Sequence, residues 1–281
     1  MFKKKRLSVG VIGLGIIGSR VAAHLRAAGF AVSVWNRTPK SEPNFLGSPA
    51  DVAQACEILQ LFVADPKAVH EVLDAIGESL TSRHIVVCSS TVGPEATREI
   101  AKRVAERGAR FLDAPFTGTK GAADQGKLVY YIGGDEETFA AAKPVLEATS
   151  KAIVRIGEVG HAALMKVLTN MLGAVTVQTL AEVVAITKAS GIAPEVLATA
   201  IEHHGIRSGI IDLKLPKMMA GDYDTHFALK HMLKDVQFGL DLAGELKLDL
   251  PATKATAYAM REGMGSGWGE LDFAAVLKRY E

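Results

Sequence analysis

An apolar, β-rich run at residues 7–12 leads directly into Gly13-Leu14-Gly15-Ile16-Ile17-Gly18, and nothing else in the chain constrains its fold as strongly. Glycines at this spacing also occur in ordinary turns, so the context carries the argument. The run before them has strand character, and residues 17–28 after them have helix character. In a strand–turn–helix unit Gly13 makes the tight turn, Gly15 lets a phosphate approach the backbone, and Gly18 lets helix and strand pack closely. The free amides at the helix start then meet negative charge. Residues 31–35 read as a second strand, which completes a right-handed parallel βαβ unit and makes the loop a dinucleotide-binding one.

The same alternation continues. Residues 59–63, 85–88 and 110–113 read as buried strands, and 69–76 and 95–107 as the helices between them. From Gly160 the pattern changes: apolar residues persist at helical spacing through Lys188, with no proline and no strand-length punctuation. Gly191, Pro194, Gly205, Pro216 and Gly221 break up the helices that follow, 227–246 forms another long one, and Pro251 opens the next. The expected fold is α/β: a Rossmann domain with a doubly wound parallel sheet over residues 1–159, and an all-helical domain for substrate binding and dimerisation over 160–281.

Charge narrows the function. With 32 basic and 31 acidic side chains the formal net charge is +1, so no overall field draws the chain to nucleic acid or to an anionic membrane; the expected partner is a small molecule. Cys56 and Cys88 are too few for a disulfide framework or a thiolate metal cage, which points to a reducing compartment, the cytoplasm. Basic residues at 3–6 ahead of an apolar run look superficially like a signal peptide, but three glycines interrupt that run, and the basic tip reads as solvated. No later stretch reads as the roughly 20 apolar residues that a membrane span needs.

Two places carry chemistry. At the end of the second strand an NAD site usually puts Asp or Glu, to bond the adenosine ribose. This chain has Asn36-Arg37-Thr38 instead. Arg37 can pair with a 2′-phosphate and stack on adenine, while Asn36 and Thr38 can bond it without adding like charge, so NADP is the preferred cofactor and NAD a possible one. Further on, Lys166 and Asn170 are four apart and share a helix face, among Leu164, Met165, Val167, Leu168, Met171 and Leu172. A helix this apolar is expected to be largely buried, so Lys166, Thr169, Asn170 and Gly173 suggest a polar stripe facing a cleft; a lysine that merely snorkels to solvent is the alternative.

Taken in order, the Gly13 to Gly18 loop, Ser89-Ser90-Thr91, Asp113-Ala114-Pro115-Phe116-Thr117-Gly118, the segment 157–170 and Lys234-Asp235 resemble the β-hydroxyacid dehydrogenase family over nearly the whole length. The resemblance implies that Lys166 is the general acid/base and that Asn170 holds it or the substrate hydroxyl. In the reductive direction a nicotinamide gives hydride to a carbonyl carbon and Lys166 gives a proton to the oxygen. It also implies that Thr117, Gly118 and Thr119 bind a substrate carboxylate, that Thr91 lies beside the nicotinamide with Val63 and Ala64 also against the cofactor, that Lys234 closes over it, and that Asp235 orients a neighbouring cation in the substrate site.

Two departures matter. Family members commonly have Ser-Gly-Gly where Thr117-Gly118-Thr119 stands, so the β-branched residues narrow or stiffen the pocket. Residues 39–50 are shorter than the family's usual helix and strand, which leaves the adenine-side wall open. The expected activity is NADP(H)-dependent interconversion of a short hydroxy acid with its semialdehyde or oxo acid, in a homodimer or higher homo-oligomer.

Rival chemistries fit less well. Short-chain dehydrogenases need Tyr and Lys four apart, and none of Tyr130, Tyr131, Tyr223, Tyr258 and Tyr280 has that lysine. No metal site is expected: His203 and His204 read as neighbours pointing apart on a helix, and His226 and His231 do not share a face. An imine reductase shares the glycine loop and Asn-Arg-Thr but generally lacks the lysine found here as Lys166, and a non-catalytic NADP-binding regulator would have no need of Lys166 with Asn170.

Overall fold

In the computed structural model, which describes residues 7–281, the apolar runs of the first half become strands covered on both faces. The basic tip at residues 1–6 lies outside the described residues. The order is β1 (Ser8–Ile12), α1 (Gly18–Ala27), β2 (Ala31–Trp35), α2 (Pro49–Ala55), β3 (Ile58–Leu61), α3 (Pro66–Ile76), β4 (Ile85–Cys88), α4 (Pro94–Glu106) and β5 (Arg110–Asp113). These five strands are parallel in the order β2-β1-β3-β4-β5. Alternate side chains serve two cores. Val9, Val11 and Ile58 pack with Val21 and Leu25 of α1, while Ile12, Leu59 and Leu61 pack with Val69, Leu73, Ile100 and Val104 of α3 and α4. Burial on both faces is why these strands read as continuous apolar runs.

Beyond β5 the sheet changes direction, which the sequence pattern did not foretell. β6 (Phe116–Thr117), α5 (Lys120–Asp124), β7 (Leu128–Gly133), α6 (Glu136–Glu147) and β8 (Ser150–Gly157) follow. β7 runs antiparallel to both β5 and β6 and parallel to β8, so the eight-stranded sheet is mainly parallel with an antiparallel extension. β8 exposes Lys151, Ala152, Val154 and Arg155, and so presents no buried run to a reader of the sequence.

The helical part consists of α7 (His161–Ala189), α8 (Pro194–Glu202), α9 (Gly209–Ala220), α10 (Leu229–Glu245) and α11 (Pro251–Gly265), closed by a 3-10 segment at Phe273–Tyr280. The chain divides into two compact units between Lys166 and Val167, inside α7, so the first turns of that helix belong with the sheet. Val177, Leu180 and Val184 of α7 share the second unit's core with Leu215, Met218, Val236 and Met260. A buried ion pair pins this unit: Lys214 Nζ lies 2.7 and 2.9 Å from the Asp272 oxygens, and Asp272 also accepts the backbone N–H groups of His226, Phe227 and Ala274.

Four sequence-based expectations are corrected here. Pro216 does not break a helix but sits within α9, where burial of Leu215 and Met218 on either side outweighs the lost hydrogen bond. His203 and His204 lie just past the end of α8, His203 as its C-cap, and not on a helix. By length and composition α7 is long and apolar enough to cross a membrane, because its scattered polar residues are too few to offset its apolar ones. It is also not covered all round: Leu172 is 70 % and Ile186 66 % exposed, since the shorter helices of its unit reach only one side.

Candidate active site

The glycine loop has the geometry that its spacing predicts. Gly13 has φ +99° and its N–H donates to the Trp35 carbonyl (2.9 Å). A Cβ at Gly13 would come within 2.3 Å of the Phe62 carbonyl oxygen, and one at Gly18 within 1.9 Å of the Gly13 carbonyl oxygen. At Gly15 a Cβ would meet nothing within 4 Å, so the open space is on the side from which a phosphate would approach. The first turn of α1 has no side-chain cap at Ile17 and no acidic residue, which leaves its positive dipole end for an anion. Leu14 is buried beneath the loop and Ile16 is exposed at its tip.

Asn36 braces this loop. Its Oδ1 accepts the Leu14 N–H (2.9 Å) and its Nδ2 donates to the Thr38 carbonyl (2.8 Å). Both ends of the amide are therefore engaged inside the chain, while Arg37 and Thr38 stand exposed just beyond β2. The structure adds a residue that spacing alone did not single out: Lys40 Nζ donates to the Leu14 carbonyl (2.5 Å), which holds a further cation at the loop. Of the short segment 39–50, residues 39–48 form neither helix nor strand before α2 begins at Pro49, but they are tied to the free edge of β2. Phe45 bridges Val34, Asn44 in a left-handed conformation (φ 52°) donates to the Val32 carbonyl (3.1 Å), and Arg26 holds Glu42 and the Pro43 carbonyl.

At the neighbouring strand ends, the Val63 N–H donates to Ser90 Oγ (2.8 Å), so the turns bearing Val63-Ala64 and Ser90-Thr91 are pinned together. Beneath them Gln60 Nε2 donates to Ser89 Oγ and to the Tyr130 hydroxyl, which in turn meets Thr149 Oγ1 (3.1 Å). Burial pushes the Tyr130 hydroxyl up to about 12, so it stays a neutral hydrogen-bonding group. Phe116 packs on Phe62 with ring centroids 5.8 Å apart, which brings the Thr117-Gly118-Thr119 turn alongside these strand ends. Gly118 has φ +133°, and a Cβ there would press on Leu128 (3.0 Å) and Ala122 (3.2 Å). Thr119 occupies the N-cap position of α5 without using its side chain as the cap.

Asp113 is a residue whose part the sequence did not reveal. At 2 % exposure, its Oδ2 accepts the N–H groups of Gly160 (2.9 Å) and Ala163 (3.0 Å) at the start of α7. Burial pushes its carboxyl up to about 6, against those backbone donors and the Arg98 guanidinium, which favour the ionised form. A little further along the same helix Lys166 is 9 % exposed, so most of its side chain is withdrawn from solvent. In the second unit, Asn170 Nδ2 donates to Asp235 Oδ2 (2.6 Å), and Lys234 Nζ lies 3.0 Å from Asp235 Oδ1 and over the Phe238 ring. Asn170, Lys234 and Asp235 thus form one cluster centred on the Asp235 carboxylate.

A doubly wound sheet with an open glycine loop, Arg37 where an acidic ribose ligand would stand, and an all-helical unit after it are the features of a nicotinamide-dinucleotide oxidoreductase. Comparison with known proteins agrees. The NAD binding domain of 6-phosphogluconate dehydrogenase matches residues 8–157, and the NAD-binding domain of NADP-dependent 3-hydroxyisobutyrate dehydrogenase matches residues 160–280. Among curated relatives, glyoxylate/succinic semialdehyde reductase 2 of Arabidopsis thaliana is 32 % identical over 97 % of this chain and 79 % of its own. Glyoxylate/succinic semialdehyde reductase 1 of the same plant is 29 % identical over 97 % and 98 %. A crystal structure of 3-hydroxyisobutyrate dehydrogenase from Salmonella typhimurium superposes with a TM-score of 0.87 at 26 % identity, covering 97 % of this chain and 99 % of that one. The chain belongs to the β-hydroxyacid dehydrogenase family and is an NAD(P)-dependent oxidoreductase.

Proposed function

We propose that the protein is an NADPH-preferring reductase of a short semialdehyde or 2-oxo acid, glyoxylate or succinic semialdehyde being the leading candidates, with Lys166 as the proton donor. The observation that carries this is a lysine withdrawn from solvent, 9 % exposed, one helical turn before an Asn170 that is itself fixed by Asp235. The names of the plant relatives support the substrate class.

Gly15 and the amides at the start of α1 would hold the pyrophosphate, and Arg37, Thr38 and Lys40 the 2′-phosphate, with Asn36 bracing the loop from below. Val63, Ala64 and Thr91 would line the nicotinamide end, and Lys234 would close over the cofactor. When bound, the nicotinamide supplies the hydride. Thr117 and Thr119 offer hydroxyls and Gly118 a backbone amide to a substrate carboxylate. The Lys166 ammonium gives its proton to the carbonyl oxygen as negative charge develops there, and Asn170 orients the reacting oxygen. Buried free thiols at Cys56 and Cys88 fit a reducing cytoplasm, and the apolar outer face of α7 fits a homodimer.

The test follows NADPH and NADH oxidation against a panel of short semialdehydes, oxo acids and cyclic imines, with Lys166→Ala alongside. Lys166→Ala should lower kcat by roughly 100-fold or more, within the range of general-acid catalysis. Turnover unaffected by that change would overturn the mechanism.

A further inference from the structure

The first turn of α7 is capped by a residue from a distant element. At a helix start the leading N–H groups lack intrahelical partners, and an oxygen on the N-cap side chain usually takes one of them. The position before α7 is Gly160, with φ +91°, where a Cβ would lie 3.0 Å from Arg98 Nε and 3.1 Å from the Pro94 carbonyl oxygen. No other residue fits there to supply the cap. Asp113, 47 positions earlier at the end of β5, supplies it, accepting from Gly160 and Ala163 with one carboxylate oxygen and favoured by the Ala162 amide as well. Lys166 follows Ala162 by four and Ala163 by three, so it stands on the same helix face one turn on.

We propose that Asp113 is the positioning residue for Lys166: its carboxylate, fixed to the sheet, sets the height and rotation of the first turn of α7, and so where the Lys166 ammonium stands. This rests on Lys166 being the proton donor. Asp113 is itself held from both sides, paired with Cys88 on β4 and with Gly133 on β7. A Cβ at Gly133 would lie 3.1 Å from Asp113 Oδ2, so a glycine at this position leaves the carboxylate the place it occupies.

The choice of residue also points to positioning. On an exposed helix Asn or Ser caps as well as Asp does, but here an amide would have one accepting oxygen for the Gly160, Ala162 and Ala163 N–H groups and would turn its own NH2 towards a donor. Here burial pushes the carboxyl up to about 6 and the aspartate is still used. The groups facing it are the Arg98 guanidinium from α4 and the Cys88 thiol from β4; β7 presents Gly133. Burial, with Asp113 adding to it, pushes the Cys88 thiol up to about 12, so Cys88 stays neutral through the pH range of activity.

The experiment measures kcat, KM and NADPH affinity from pH 5 to pH 9 for the wild type, Asp113→Asn, Asp113→Ser and Lys166→Ala, with a substrate that the wild type turns over. The expected result is a fall in kcat of about 10- to 100-fold in Asp113→Asn, as misplacing a catalytic group by about 1 Å produces, with NADPH affinity within about two-fold. The acid limb of kcat near pH 6 should vanish in both Asp113 variants, and its survival in both would overturn the proposal. Wild-type kcat in Asp113→Asn beside an inactive Lys166→Ala would overturn the positioning role alone. Full activity in Lys166→Ala would instead remove the proton donor on which the role rests. Loss of NADPH binding in both Asp113 variants would make the residue structural and would equally overturn the proposal.

Discussion

Asp113 also allows a prediction about stability with a definite sign. Its carboxyl titrates at about 6 in the folded protein against 3.8 for the free side chain, because burial outweighs the backbone donors and Arg98. The native state therefore holds its proton more tightly than the unfolded state does. Between about pH 4 and pH 6 the folded chain keeps a proton that the unfolded chain has lost, so stability falls as pH rises through that window and the deficit is complete at pH 7. Two pKa units at about 1.4 kcal/mol each make the deficit about 3 kcal/mol. Asp113→Asn cannot ionise and escapes it. Relative to the variant, the wild type should thus lose about 3 kcal/mol between pH 4 and pH 7, or roughly 6–12 °C in the melting temperature of a unit of this size. Thermal unfolding of both proteins by circular dichroism at half-unit pH steps reads this difference, and the pH dependence of every other carboxylate cancels. A difference flat with pH would refute the reasoning, and so would a wild type that gains on the variant as pH rises, the sign of a carboxylate stabilised by its partners.

Three further outcomes are expected. Arg37→Ala should weaken NADPH binding about 10- to 100-fold, the loss of one charge-assisted contact, and leave NADH within about two-fold in fluorescence titrations; equal losses would show that Arg37 does not read the phosphate. Asp272→Ala would leave the Lys214 ammonium, 1 % exposed, without its counter-charge, and should destabilise the protein by about 3–5 kcal/mol in denaturant unfolding, whereas changing both partners to apolar residues should be far milder. Leu172→Asp with Ile186→Asp, on the exposed face of α7, should convert a dimer to monomers by light scattering, and an unchanged mass would place the subunit contact elsewhere.

Much of the first unit was legible in the sequence because its determinants are local. Gly13 and Gly18 mark a turn where a Cβ would clash, Gly15 keeps its tip open, and β2, β4 and β5 stand at the residues that their short β-branched apolar runs mark. Arg37 in place of an acidic residue was equally plain. β7 and β8 were not, because β8 is largely exposed and the antiparallel pairing of β7 with β5 and β6 depends on segments far apart in the chain. The outer face of α7 escaped for a related reason: composition states that the helix is apolar, and only its neighbours decide which side they cover.

At the site the division is the same. The sequence by itself determined which groups are available: a phosphate loop, cations beyond the second strand, and a lysine and an asparagine one turn apart on an apolar helix. Tertiary structure decided how they are held. It turned the Asn36 amide inward to brace Leu14, brought Lys40 onto the loop, joined Asn170 to Asp235 across 65 positions, and capped α7 with Asp113 from a strand 47 positions away. Hydrogen bonds between such distant residues leave no periodic trace in a sequence, because their geometry exists only after the sheet and helices have packed.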